Sequence, residues 1–377
     1  VNDNRTNFDG SLLVGETTVT ADISALAVEP RVKINGEIST RLLHLEDFGL
    51  IVSESGAIDP QPKSTADKKN MVSSADAGGK IFSAEPFSLD WMKQIDLDMK
   101  VLVDDIADAE AKLESFEIPL QIRDGGVLLI SPARVDYEGG AINLDFSIDT
   151  TSTETETALK VKADDLPLGQ LRSSMGVQEK IKGSLDFHMD LDTRGNSPAA
   201  MASNLNGVIE FGMEDVEASK DKFDLLTKDL FGWVVSSTLL RSKQERLDCG
   251  IVVFEANKGK LVSKLIFFDG TNLKLSGEGT IDLGQETVDF YFIPKQKRSL
   301  LSNATPVHLT GPLSDPKPAA VSSAEIGVLA AKGYAGLAIL PTVTIPAAVI
   351  GSLGGLFMQD ESKGDNSACL KYLESQQ

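Results

Sequence analysis

Aromatic residues fill only 6% of the 377 positions, histidine occurs three times and cysteine twice. Each scarcity removes a class of function. His44, His188 and His308 are far apart and none stands in an HExxH-like spacing, so a zinc site has no support. No GxSxG, no P-loop and no GxGxxG opening a helix is present; Ser276-Gly277-Glu278-Gly279 lies inside a strand pattern and lacks a third glycine. The acidic pairs Asp104-Asp105 and Asp164-Asp165 read as solvated turn caps, because no nucleophile or base with an orienting partner accompanies them. The expectation is a protein with no catalytic residues, no cofactor and no metal. Basic charge is also short: the formal net charge is -20, with no Lys/Arg cluster, which argues against nucleic acid and against adsorption on anionic lipid surfaces. Two cysteines form no framework of the small secreted kind; Cys249 and Cys369 are either two unrelated thiols or one bond closing a loop of about 120 residues. The start carries no basic n-region or apolar h-region, so no signal or anchor is visible there. The one long charge-free run, Gly333–Met358, contains Pro341, Pro346 and several glycines. Two short helices packed back on the protein, or dipping into a membrane surface, fit it better than a span.

What the chain has is alternation. Leu185, Phe187, Met189 and Leu191 point one way, and Asp186, His188, Asp190 and Asp192 the other. Ile142, Leu144, Phe146 and Ile148 repeat the pattern, as do Leu97–Val103, Ile118–Ile122, Leu159–Ala163 and Val288–Phe292. Strands of this kind bury one face and wet the other, the antiparallel habit. Turn chemistry at Asp9-Gly10, Asp124-Gly125-Gly126, Glu138-Gly139-Gly140 and Asp269-Gly270 separates them. An aromatic, an acidic residue and a glycine recur at Phe8, Tyr137 and Phe268, a weak internal repeat. The expected fold is mainly β with a few helices: a long, curved, antiparallel, repeated sheet forming a groove, with helices near 219–248 and 324–358. Ser219–Asp248 carries Phe223, Leu226, Leu230 and Val234 at helical spacing. Ser53–Lys80 is rich in Ser, Asp, Lys, Gly and Pro and reads as a flexible linker. The organisation expected is therefore 1–52 as the end of a preceding β-repeat region, 53–80 as linker, and 81–377 as a β-rich region with terminal helices.

Several stretches resemble the AsmA family. Phe82-Ser83-Ala84-Glu85-Pro86-Phe87-Ser88-Leu89-Asp90-Trp91 is similar to the family's Phe-Ser-x-x-Pro-Leu-x-Leu-(Asp)-Trp element, which typically follows a low-complexity linker. Leu247-Asp248-Cys249 with Phe254–Gly259, Leu275–Leu283, and Thr310-Gly311-Pro312-Leu313 with Asp315-Pro316 resemble its later elements, and the family tends to finish with a cysteine, here Cys369. The resemblance implies the periplasmic part of an inner-membrane-anchored protein of a Gram-negative bacterium, its anchor lying outside this sequence. It implies a role in phospholipid traffic between inner and outer membranes through an apolar β-groove. The alternative function is a structural or assembly factor for outer-membrane protein maturation and envelope integrity. The implied partners are phospholipid or another acyl-chain lipid, the inner membrane, and outer-membrane or envelope proteins. Leu144, Phe146, Leu185, Phe187 and Met189 are the groove candidates. An oxidising compartment further implies that Cys249 and Cys369 are bonded to each other.

Overall fold

The alternating segments form ladders whose register sets the apolar residues of neighbouring strands side by side. The computed structural model describes residues 5–44, 47, 50–52, 58–60, 80–106, 113–137, 140–168, 182–219, 244–271, 273–296 and 306–321. The early strands are β1 (Arg5–Val14), β2 (Thr17–Val28), β3 (Arg31–Thr40), β4 (Leu50–Val52) and β5 (Ile58–Pro60). Next come β6 (Ile95–Val103), β7 (Leu113–Arg123), β8 (Val127–Tyr137), β9 (Gly140–Asp149) and β10 (Glu156–Pro167). Then follow β11 (Lys182–Arg194), β12 (Asn206–Ser219), β13 (Gln244–Asn257) and β14 (Lys260–Gly270). The series closes with β15 (Leu273–Asp282), β16 (Thr287–Gln296), β17 (Val307–Pro312) and β18 (Lys317–Ala320). All but β4 and β5 form one 16-stranded sheet in chain order; β4 and β5 pair separately. The fold is mainly β, as the alternation requires.

Only β3 and β6 pair in parallel among the pairings whose register is defined. A parallel neighbour needs a crossover rather than a tight turn, and residues 41–94 supply it. Within that crossover Ile58–Pro60 is a strand, inside the segment read as linker; 53–57 and 61–79 lie outside the described residues.

Three expectations are corrected. Asp9-Gly10 is not a turn: Gly10 pairs with Ala21 in mid-ladder, and the turn is at Gly15-Glu16. The Phe8 ring lies over position 10, 3.5 Å from where a Cβ would be, an ordinary contact that does not by itself require glycine. Ser219 and Gln244–Asp248 are not helical either. Ser219 pairs with Gln244 and Val216 with Leu247, so backbone hydrogen bonding between β12 and β13 overrides the local helical spacing. Residues 220–243, and the helix expected near 324–358, lie outside the described residues. The third correction, at Asp186, belongs with the site.

The chain divides into two compact units, Val1–Glu179 with Asp190–Met201, and Lys180–Met189 with Ala202–Gln377. In the first unit, register strings Ala25, Ile34, Leu97, Ile122, Leu128 and Ile148 into one transverse row. Leu12, Val19, Thr40, Val103, Phe116 and Val135 make a second. The opposite face is charged and paired across strands: Lys100–Glu117 at 2.8 Å, Arg31–Asp96 at 2.8 Å and Lys160–Asp190 at 2.9 Å. A one-residue slip would exchange the two faces, so this contrast locks the register. Glu117 and Asp190 each raise the pKa of the lysine they face, through a charge-assisted hydrogen bond.

At one rim of the first unit the turns are fastened to one another. Thr150 donates its N–H and hydroxyl to Gly126 O at 3.0 and 2.9 Å. Asn196 Oδ1 accepts the N–H and hydroxyl of Thr155 at 2.9 and 3.1 Å, and Gly195 N donates to Thr155 O at 2.9 Å.

The second unit is built differently. Its core joins Val252, Phe254, Ile266, Phe268, Leu275, Val288, Phe290, Phe292 and Leu309, all buried. Phe254 meets Phe290 edge-on at 6.0 Å, and Phe290 stacks with Phe292 at 5.8 Å. Glycines seat these rings: Gly277 pairs with Phe292 and Gly279 with Phe290. A Cβ at Gly277 would lie 2.7 Å from the Phe292 ring, and one at Gly279 only 2.3 Å from Asp289 O. Ile251, Val253, Leu265 and Phe267, which point to the other face, are buried too. The continuous runs Ile251–Phe254 and Leu265–Phe268 are the sequence signature of strands covered on both sides.

Candidate functional site

In the first unit the apolar rows meet no second layer of strands among the described residues. Leu97, Val101, Ile118, Leu120, Leu128, Ile130, Leu159 and Val161 are half-buried, neither sealed nor free in water. Leu144 and Phe146, two of the residues expected to line a groove, belong to this face. Leu144 pairs with Ala133 and Val161, and Phe146 with Ile130 and Leu159; both side chains are half-buried. The lining is mostly aliphatic, with aromatic rings at Phe146 of β9 and Phe116 of β7, and the two rows named above carry no charge. Such a surface can gain only by removing apolar area from water, at about 25 cal/mol per Å². Among the described residues these rows offer no charged group with which to read a ligand's identity, and their Thr40 hydroxyl is spent on Leu42 O.

Leu185, Phe187 and Met189 lie in the second unit, all half-buried on one side of β11. The Phe187 ring packs on Phe211 of β12 with centroids 4.8 Å apart. Phe211 and Met213 in turn lie against the buried core of that unit. The five candidates therefore fall on two units and are described as two surfaces.

The side of β11 opposite Phe187 is covered at Asp186, contrary to expectation, while Asp190 and Asp192 on that side are exposed as expected. Asp186 is 2% exposed and Glu210 of β12 is 2% exposed. His188, read as a surface residue and 41% exposed at its side chain, places Nδ1 3.0 Å from the buried Glu210 Oε2. Alternation assigns a residue to a face but not whether that face is covered, and at Asp186 it is covered. Farther along, Glu278 of β15 faces Tyr291, whose ring stacks on His308 at 4.0 Å, and His308 Nε2 lies 2.7 Å from Asp289 Oδ1. Burial pushes the Glu278 carboxyl up from 4.5 to about 7. The folded state thus holds this proton more tightly than the unfolded chain. The contribution to stability is full below pH 4.5 and is lost as pH rises toward 7. Glu278→Gln is expected to flatten that part of the melting-temperature profile and to melt above wild type at pH 8; parallel profiles for the two proteins would refute it.

Among the described residues no group of His, Cys, Asp or Glu is placed to hold a metal ion, and no helix is long and apolar enough to cross a membrane. Cys249 is 1% exposed on β13 and is not a free thiol. Cys369 lies outside the described residues.

The family model described as the AsmA family matches residues 1–230, more than half of the chain. The chain belongs to the AsmA family. One AsmA relative, the AsmA family protein YhjG of Escherichia coli (strain K12), is 21% identical over 357 residues. That alignment takes in 94% of this chain and 50% of the relative, so the chain spans about half the length of the curated relative it matches. No solved structure matches this AsmA chain. The family match ends at residue 230, so it takes in all of β1–β12 and stops short of the aromatic core.

Proposed function

We propose that this chain is a periplasmic part of an inner-membrane-anchored AsmA protein and that its first unit binds phospholipid acyl chains, on a route between inner and outer membranes. The observation that supports this reading is the half-buried aliphatic face, carried in register over β2, β3 and β6–β10, in which Met99, Val103 and Ile122 are buried. An acyl chain laid on it gains about 0.8 kcal/mol per buried CH₂ without any head-group pocket. A surface that selects by apolarity alone suits a carrier of mixed lipids better than a catalyst. No cofactor is needed for such a role.

The test is capture. A photoreactive residue at Leu120, Ile130 or Phe146 is expected to yield phospholipid adducts by mass spectrometry after illumination in the bacterial envelope. The same residue at Asp98 or Lys160, on the charged face, is expected to yield none. Adducts to an envelope protein instead of lipid, from the apolar positions, would favour the alternative of an assembly factor for outer-membrane proteins.

A further inference from the structure

The sheet of the first unit is interrupted beneath the proposed lipid face, where β7 meets β8. Strand β8 carries one residue too many for both of its neighbours. Against β9, Ile130 pairs with Phe146 and Ala133 with Leu144, so Ser131 and Pro132 together stand opposite the single residue Asp145. Against β7, Leu129 pairs with Gln121 and Arg134 with Glu117, which sets the four residues Ile130–Ala133 opposite the three residues Ile118–Leu120. Two residues against one make a β-bulge, which bends the strand that carries it.

Strand β7 brings a second defect to the same point. Pro119 pairs with Lys100 in an unbroken ladder with β6, so β7 is an interior strand there. Proline has no N–H to donate, and within sheets it keeps to edges and bulges. Here each of two facing strands has a proline at mid-strand, and neither proline can donate across. The ladder resumes on both sides of the gap, at Ser115–Glu117 and at Gln121–Arg123. By contrast, β6 and β7 pair without a break from Leu97 to Val103, and β9 and β10 from Ile142 to Asp149. A junction pinned at both ends and unpaired in the middle bends most easily about an axis along the strands. A fixed bend would need the bulge alone; the facing proline removes pairing without adding a residue.

The gap lies under the middle of the apolar face. Leu144 and Phe146 flank the bulge on β9, while Ser131 and Pro132 are exposed and the Ser131 hydroxyl donates to Asp145 on the other side of the sheet. We infer that the β7–β8 junction is the flexure of the lipid face. The strands up to β7 and those from β8 to β10 turn toward each other about it, closing the face on acyl chains of differing number and bulk. The role rests on the lipid reading above; the flexure itself does not.

The experiment places spin labels on noncanonical residues at Asn35 of β3 and Ala158 of β10, opposite the apolar face. They stand five strand spacings apart, about 24 Å along the sheet. Distances in the full chain are measured with and without vesicles of dioleoylphosphatidylcholine, and bound lipid is counted by mass spectrometry. The lipid-free distribution is expected to be about twofold broader than in a variant lacking Pro132, whose β8 matches both neighbours residue for residue. Lipid is expected to narrow the wild-type distribution, and the variant to hold about threefold less lipid. Pro119→Thr restores a donor without changing strand length and is expected to narrow the distribution as well. Hydrogen exchange needs no variant: 118–121 and 130–133 are expected to exchange about tenfold faster than 98–102. Equal protection of these segments, or equal breadth in wild type and every folded variant, overturns the flexure. A broad distribution that bound lipid leaves unchanged overturns its role and leaves the lipid reading standing. No bound lipid, with the difference in breadth intact, overturns the lipid reading and with it the role, and leaves the flexure.

Discussion

Phe146→Asp is expected to leave the protein folded and to abolish lipid capture, whereas Phe290→Asp is expected to unfold the second unit. The two residues have the same chemistry and sit mid-strand in the same kind of ladder. They differ in what surrounds them. Phe290 is 4% exposed, packed between Phe254 and Phe292 and seated over Gly279. Truncating such a ring costs about 3–5 kcal/mol, and an unpaired carboxylate in its place costs several more. That sum approaches the whole stability of a typical domain, about 5–15 kcal/mol. Phe146 is half-buried, so a carboxylate there reaches water by a rotamer change, and the loss is expected near 1–2 kcal/mol. Phe187→Asp should fall between them, since that ring is half-buried but packed on Phe211. Chemical denaturation followed by hydrogen exchange in each unit, with crosslinking on the same variants, reads all three. If Phe146→Asp unfolds its unit as completely as Phe290→Asp unfolds the other, the first face is a sealed core and the lipid reading fails.

Cys369→Ser is expected to lower the stability of the second unit by about 4–5 kcal/mol, the chain-entropy value for a bond closing a loop of about 120 residues. The expectation starts from Cys249, fully buried on β13 opposite Asp269 and not a free thiol, in a chain with one other cysteine. Serine at 369 is the cleaner substitution, because serine at 249 would also bury a hydroxyl. Non-reducing peptide mapping should recover the 249 and 369 peptides joined, and dithiothreitol should reproduce the loss in wild type. Two free thiols in the oxidised protein would sink the pairing.

The faces of the strands were legible from residues alone. Period-2 alternation at Ile142–Ile148 and Leu185–Leu191 assigns each side chain to a side, because consecutive side chains in an extended backbone must point oppositely. The both-sided burial of β13 and β14 was missed, although the four-residue apolar runs Ile251–Phe254 and Leu265–Phe268 carry its signal. Local spacing failed at Gln244–Asp248, where strand pairing with β12 outweighed it, and at Asp9-Gly10, where a turn-like dipeptide sits under a ring in mid-strand.

What sequence by itself determined is the fold class, the direction of most side chains and the family, since these depend on local periodicity and on short ordered elements. Outside β13 and β14, tertiary structure alone decided which faces are covered. Asp186 and Asp190 share one strand face by alternation, yet the first is buried and the second pairs with Lys160 in solvent. Phe146 and Phe290 look alike in sequence, and only packing makes one half-open and the other closed. Coverage is a property of segments remote in the chain, as with Met92, buried on the turn Asp90–Gln94 that packs against β3. Alternation carries no information about such distant partners, because it records only the relation of each residue to its immediate neighbours.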